Sequence, residues 1–236
     1  MNYEAKEQKL DRRTEMKQKN VILFAVILFC IGLTGLQAQG VKDIDGNVYK
    51  TVTIGKQVWM AENLKTTKYN DGTALPLVAD DKAWAALTTP ALCWYNNDET
   101  ANKNKYGALY NWYTVSINKL CPIGWHVPTV KEWTILTTYL GGKNASGGKL
   151  KETGLTHWKS SNKGVTNETG FTALPSGSRS FNGRFSSKGY SGYWWSSTEY
   201  STTLAYFRYV NYRYSNVGRL SFSKRAGFSV RCLRDF

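Results

Sequence analysis

Histidine is nearly missing. Only His126 and His157 occur in 236 residues, each beside a tryptophan. Zinc sites need several nitrogen or thiolate ligands at workable spacing, and two isolated histidines do not supply one. Both are expected to be structural, with no metal and no cofactor. Acids are scarce too, 17 Asp+Glu against 31 Lys+Arg. A carboxylate pair for glycoside cleavage can be drawn from them, but no pattern selects one. There is no Gly-x-Ser-x-Gly elbow, His-Glu-x-x-His pair or phosphate loop. The common hydrolase and nucleotide-binding centres therefore have no visible residues. Linkers rich in Pro or Ser, low-complexity tracts and repeats are also absent, so residues 39–236 read as one domain.

Long apolar runs are limited to one. Val21 to Leu36 is about 16 residues, short of the roughly 18–20 of a membrane span. Lys17 and Lys19 precede it, and Ala38 follows with Leu36 two before it. This is the layout of a secretory signal peptide over residues 1–38, cut before Gln39. Retention as an anchor is the alternative. The charged stretch Met1–Glu15 serves no visible purpose, so Met16 is the expected true start. Cys30 follows Phe29 rather than the small residues a lipid-acceptor cysteine wants, and is expected to leave with the signal. The protein is thus expected outside the cytosol, in the periplasm, on the outer surface or secreted, with no membrane span after cleavage.

Cysteines 93, 121 and 232 remain. One bridge plus one free thiol is the simplest count for an exported chain. Cys121 precedes a helix and Cys232 lies near the chain end, so these two are the expected pair. Closing so long a loop is worth roughly 4–5 kcal/mol in the chain-entropy model. Cys93, between Leu92 and Trp94, reads as a small buried hydrophobe.

From Gln39 on, 25 Lys+Arg face 13 Asp+Glu, a net charge of about +12. Such a balance attracts polyanions. The cations are dispersed and no basic helix appears, so nucleic acid is not an expected partner. Aromatics are abundant, with 9 Trp, 15 Tyr and 9 Phe. They suit either the filling of irregular space or sugar-binding platforms.

The densest structural instruction is Cys121 to Trp133. Thr129 is placed to cap a helix, and Glu132 to reach back to the cap's own N–H. A helix is expected over Val130–Leu140, ended by Gly141-Gly142, and another over Tyr106–Ile117 on its three- and four-residue aromatic spacing. Val48–Val52 and Ile54–Trp59 read as a hairpin about Gly55. Asp43–Asn47 reads as a turn rather than a calcium loop, and Asn70–Thr73 as another turn. Residues 77–104 read as irregular apart from a short strand over Ala91–Tyr95, with Asn96–Glu99 a solvated loop. Strands are expected at Tyr193–Thr198, Leu204–Tyr212, Arg219–Lys224 and Phe228–Leu233. The class is α+β: two helices, then antiparallel strands with long aromatic-rich loops.

The site candidate is the loop 176–192. It brings Arg179, Asn182, Arg184 and Tyr190 into Trp194-Trp195. Neighbouring strand residues face opposite sides, so either one tryptophan lies in the core with the other free to stack on a sugar ring, or both are packed under loops, the favoured arrangement.

Several stretches resemble the Fibrobacter succinogenes major paralogous domain. They are Val58–Leu64, Tyr106–Tyr113, Cys121–Trp133, Gly170–Gly177, Tyr193–Thr198 and Ser229–Cys232, in order along nearly the whole expected mature chain. The resemblance implies an exported or surface protein of bacteria related to Bacteroides and Fibrobacter, with no defined activity. Val127-Pro128-Thr129 with Glu132-Trp133, and the ending Gly227-Phe228-x-Val230-Arg231-Cys232, look more distantly like the C-type-lectin and formylglycine-generating-enzyme superfold. That fold's lectins join the first helix region to the last strand by a disulfide, in agreement with the expected Cys121–Cys232 pair. The lectin calcium tripeptides Glu-Pro-Asn and Trp-Asn-Asp are absent, as is the enzyme's cysteine pair. The expected function is a non-enzymatic binding module for a glycan or a surface protein. The alternatives are a carbohydrate-active hydrolase with unidentified carboxylates and a structural, adhesin-like surface component.

Overall fold

Turn chemistry in the first residues behaves as expected. The computed structural model describes residues 40–235. Strand β1 (Val41–Lys42) pairs with β2 (Val48–Tyr49). Between them the Asp43 carboxylate accepts from the Asn47 backbone and side-chain N–H groups and from the Tyr49 hydroxyl. The Asp-rich run is thus a turn closed by its own side chains. Strands β3 (Thr51–Ile54) and β4 (Gln57–Met60) form the hairpin about Gly55.

Residues 77–117 depart from expectation. Helix α1 (Asp81–Ala85) is capped by Asp80, and α2 (Glu99–Tyr106) by Asp98. Each cap's carboxylate accepts from the N–H three residues on. Asn96–Glu99 is therefore not free loop but part of a 3-10 turn (Tyr95–Asn97) and the start of α2. The helix expected over 106–117 is broken. Gly107 sits at φ +74, where a Cβ would lie 2.6 Å from the Leu64 carbonyl. The chain then extends so that Tyr110 can exchange backbone hydrogen bonds with Phe228. Strand β5 (Leu92–Cys93) pairs with β6 (Leu109–Tyr110), and α3 (Trp112–Ser116) follows.

Strand β7 (Trp125–His126) leads into α4 (Val130–Tyr139), which starts with the expected capping box between Thr129 and Glu132. A helix unforeseen in the sequence, α5 (Lys143–Leu150), comes next. Its Gly147 and Gly148 disfavour helix by up to about 1 kcal/mol each. They are there for close approach. A Cβ would lie 2.3 Å from the Asn216 carbonyl at the first and 1.9 Å from the Gly164 carbonyl at the second.

The stretch 176–192 is a hairpin, not a loop: β8 (Ser176–Arg179) and β9 (Phe185–Lys188). With β10 (Ser191–Glu199), β11 (Leu204–Asn211) and β12 (Gly218–Ser223) they make a five-stranded sheet, order β12-β11-β10-β8-β9. Four strands, β3-β4-β13-β7, make another, where β13 is Leu233–Arg234. The strand expected over 228–233 is mostly irregular. It threads between the sheets, its carbonyls taken one at a time by the backbones of Tyr110, Trp195, Leu64 and Met60.

The architecture is α+β. One face of the large sheet joins Trp194 and Val210 to Trp59, Trp133, Leu136 and Phe171. The other joins Trp195 and Phe207 to Tyr110, Trp112 and Phe228. Cys121 and Cys232 form a disulfide, Cα atoms 5.9 Å apart, while Cys93 is buried and free. Among the described residues no helix is long and apolar enough to cross a membrane. The apolar run 21–36 lies outside them.

The bridge closes a sequence separation of 111 residues. Replacing both cysteines by serine is expected to lower stability by about 4 kcal/mol in urea unfolding. A loss below about 1 kcal/mol would show that the unfolded chain gains little freedom from its removal.

Candidate functional site

The side chains singled out in the sequence do not converge on one site. Arg179 is fully buried. It donates through Nε to Gly183 O, through Nη1 to Val78 O, and through Nη2 to Ala79 O and Asp81 Oδ1, all within 2.6–2.8 Å. Its guanidinium lies 4.5 Å from the Trp84 ring and 4.7 Å from Phe185. It is a strut tying α1 to β8. Asn182 and Arg184 are exposed in the β8–β9 turn, where the Asn182 amide oxygen accepts from the Arg184 backbone. Tyr190 is exposed at the far end of β9, edge-on to Tyr212. Trp194 and Trp195 do face opposite sides, but both are buried, 2% and 0% exposed. Of the two expected arrangements the packed one is found and the free tryptophan is not, because both faces of β10 carry core.

What the fold does open is a trough over the Trp195 face of the large sheet. Register sets Tyr193 opposite Tyr209, Trp195 opposite Phe207, and Phe207 opposite Leu220. Tyr193 stacks on Phe228 at 5.3 Å and stands 6.3 Å from Tyr209. Two adjoining cavities, about 350 and about 230 Å³, share Tyr193 and Phe207. Ser191, Asn211, Asn216 and the exposed Tyr214 border the larger; Ser178, Ser180 and Ser186 border the smaller. No Asp or Glu lines either one. Arg179 also lines the smaller cavity, but its guanidinium is taken by three carbonyls and Asp81, so the trough offers mainly ring faces and neutral hydrogen-bonding groups.

A family model described as the Fibrobacter succinogenes major domain matches residues 52–234. The chain belongs to the Fibrobacter succinogenes major domain family. No curated protein and no solved structure matches it.

The family-like stretches meet in the core of this Fibrobacter major domain rather than in its trough. Asn63 Oδ1 accepts from Trp194 Nε1 at 2.8 Å and from Arg231 Nε at 3.0 Å. Asn63 Nδ2 donates to Tyr106 O and Ser229 Oγ, and Ser229 in turn bonds Ser176. The Arg231 guanidinium donates to Phe171 O and Thr172 O and lies 4.0 Å from the Phe171 ring. Five of the six stretches noted in the sequence thus contribute to one buried network, and the sixth caps α4. Tyr193 lies within one of these stretches, but Tyr209 and Leu220 do not. Alternation along β11 places Tyr209 beside Phe207, and only the observed register shows that it faces Tyr193.

The histidines hold structure. His157 Nδ1 lies 2.8 Å from Glu152 Oε2, its ring edge-on to Tyr106. Among the described residues no group of three or more His, Cys, Asp or Glu is placed to hold a metal ion. His126 lies between Glu132, 2.8 Å from Nε2, and Asp235, 2.5 Å from Nδ1. The Glu132 hydrogen bond lifts the imidazole above its ordinary pKa of 6.5, with burial opposing and Asp235 assisting. Burial works to raise Glu132 as well. Hydrogen bonds from His126 and Thr129 outweigh it and hold the carboxyl at about 2, against an ordinary 4.5.

These shifts define a pH window. A raised histidine stabilises fully below its unfolded value and loses that contribution as pH climbs through the folded one. A lowered carboxyl stabilises above its unfolded value and fails as pH falls through the folded one. The pair thus supports the fold most between about pH 4.5 and 6.5. Against a His126→Gln variant, urea unfolding is expected to show the widest stability gap in that window and a gap that narrows as pH rises above it. A gap constant with pH would show that the imidazolium is not the stabilising form.

Proposed function

We propose that this domain is an exported, non-enzymatic glycan-binding module that seats a sugar in the aromatic trough. The observation that carries the reading is the opposed Tyr193–Tyr209 pair, half-buried on the trough floor among serine and asparagine side chains. Tyrosine presents a large face at small entropic cost together with a polar tip, and neutral amide and hydroxyl groups match sugar hydroxyls. A trough lining without carboxylates favours binding over hydrolysis, which needs two carboxylates about 5–10 Å apart. The signal-like segment before Gln39 supports export to the periplasm, the outer surface or the medium. A capped helix after Cys121, bridged to the chain end, supports a C-type-lectin-like arrangement.

Glycan-array screening tests the reading. A neutral or acidic glycan is expected to bind, with affinity falling about tenfold or more in Tyr193→Ala and Tyr209→Ala. Tyr214→Ala, at the exposed rim, is expected to weaken binding less. Trp194→Ala is expected to act on stability instead, since its indole reaches only the core network. An array blank for every glycan, with the protein shown folded, would remove the sugar and leave a protein loop as the trough's occupant.

A further inference from the structure

Arg208 leaves β11 on the face opposite the trough, and it is unlike the other buried cations. It is 6% exposed. Its Nη2 donates to Val130 O and to the Thr134 hydroxyl, both at 3.1 Å. Its Nε is buried with no acceptor among the described residues. The side chain borders a cleft of about 480 Å³ that also meets Lys143, Asn144, Asn216 and Arg219, and whose lining contains no Asp or Glu. Lys143 and Asn144 open helix α5, whose N-cap, Gly142, brings no side chain to the N-terminal amides.

Four positive features therefore border one space: a buried guanidinium, two exposed cations and an uncapped helix N-terminus. Burial, with Arg219 adding to it, lowers the Arg208 pKa only to about 10, so the group stays charged at neutral pH. A buried donor left without an acceptor is destabilising, and an unpaired buried charge is more so. An oxyanion in the cleft that Arg208 borders offsets the unpaired charge. The planar guanidinium fork matches carboxylate and phosphate oxygens.

We propose that this cleft is an oxyanion-binding site, built to take a carboxylate, sulfate or phosphate group of a ligand. The site stands whether or not the trough binds sugar. Tyr209 and Asn216 border both spaces, and β12 between them is the edge strand of the sheet. Gly218 permits this, because a Cβ there would lie 2.1 Å from the Tyr209 ring. If the trough reading also holds, one acidic polysaccharide can lay a ring in the trough and its acid group in the cleft.

Titration of the protein with sodium sulfate, potassium phosphate and sodium glucuronate at constant ionic strength, followed by backbone amide NMR shifts, tests the site. Saturable shifts at Asn144 and Asn216 are expected with at least one of the three, and the one that binds tightest identifies the oxyanion. Binding is expected to weaken about tenfold in Arg208→Gln and in the exposed Lys143→Ala, Arg219→Ala double variant. Lys56→Ala, an exposed cation in the β3–β4 turn, is expected to change nothing. Should Arg208→Gln fail to fold, the double variant decides alone. Shifts that stay linear with all three anions, or saturation unchanged in the double variant, would reveal an ion atmosphere only and overturn the proposal. Neither readout depends on glycan binding, so the two readings fail separately.

Discussion

A guanidinium without a carboxylate holds the centre of this fold. Arg231 is 1% exposed and burial drives its pKa down to about 9, so it remains charged at neutral pH. Two carbonyls, one amide oxygen and a ring face surround it. The acceptors come from two distant parts of the chain: Asn63 from after β4, Phe171 and Thr172 from before β8. The cost of burying the charge is offset only if all of these arrive together. Asn63 then passes the constraint to Trp194 in the large sheet and to Ser229 in the last segment. The disulfide at Cys232 anchors the residue next to Arg231. The network therefore fixes the mutual register of both sheets, and everything the surface offers is positioned by it.

That register divides the aromatic residues by chemistry. On β10 and β11 the tryptophans and Phe207 go inward on both faces, each indole N–H of the β10 pair finding an acceptor: Asn63 Oδ1 for Trp194, Tyr110 O for Trp195. Tyrosines 193 and 209 stay half-buried at the open end of the same stripe, where a hydroxyl can reach water. The trough is thus a continuation of the core, a place where packing stops one layer early. Its floor is stiffened by Phe228 beneath Tyr193, which is what a preformed binding face requires.

Local instructions were legible in the sequence and long-range ones were not. The Thr129–Glu132 box lies within four residues and appears as written. So do the Asp43 turn and the Gly55 hairpin. Cys121 and Cys232 are legible as a pair from their places, one just before a helix and the other on the last expected strand. Helices α1 and α2 escaped notice because each is too short to show a periodic apolar face, although Asp80 and Asp98 were there as caps. Helix α5 escaped because its two glycines answer to a backbone packed against them, an event invisible to propensity. The burial of Arg179, Trp194 and Trp195 is invisible in the sequence on the same ground. Alternation correctly separates Trp194 from Trp195, but it cannot say that both sides of the strand are covered. The conspicuous Trp-Trp pair drew attention from Tyr193 beside it. Arg179, conspicuous among glycines, proved to be spent on carbonyls from residues about 100 positions away.

The scarcity of acids now has a structural reading. Arg179, Arg231 and Lys151 are all buried and all held mainly by backbone carbonyls; Lys151 Nζ reaches three of them, at Lys163, Asn211 and Tyr214. Carbonyl dipoles in a low-dielectric interior solvate such cations, Arg231 and Lys151 with no carboxylate bonded to them and Arg179 with Asp81 alone. Being buried, these contacts are weakly screened by salt. A chain that satisfies its interior cations in this way needs few carboxylates to fold, and its excess positive charge survives as a surface property. Arg208 follows the same plan up to a point. Two contacts from α4 hold it at Nη2, and the carbonyls that would complete the set are replaced by a cleft edged with Lys143 and Arg219. Where the other three cations are held mainly by backbone, this one has two contacts at Nη2 and a buried Nε without an acceptor, beside the cleft. Its missing acceptors are the clearest physical reason to look for a ligand that brings its own negative charge.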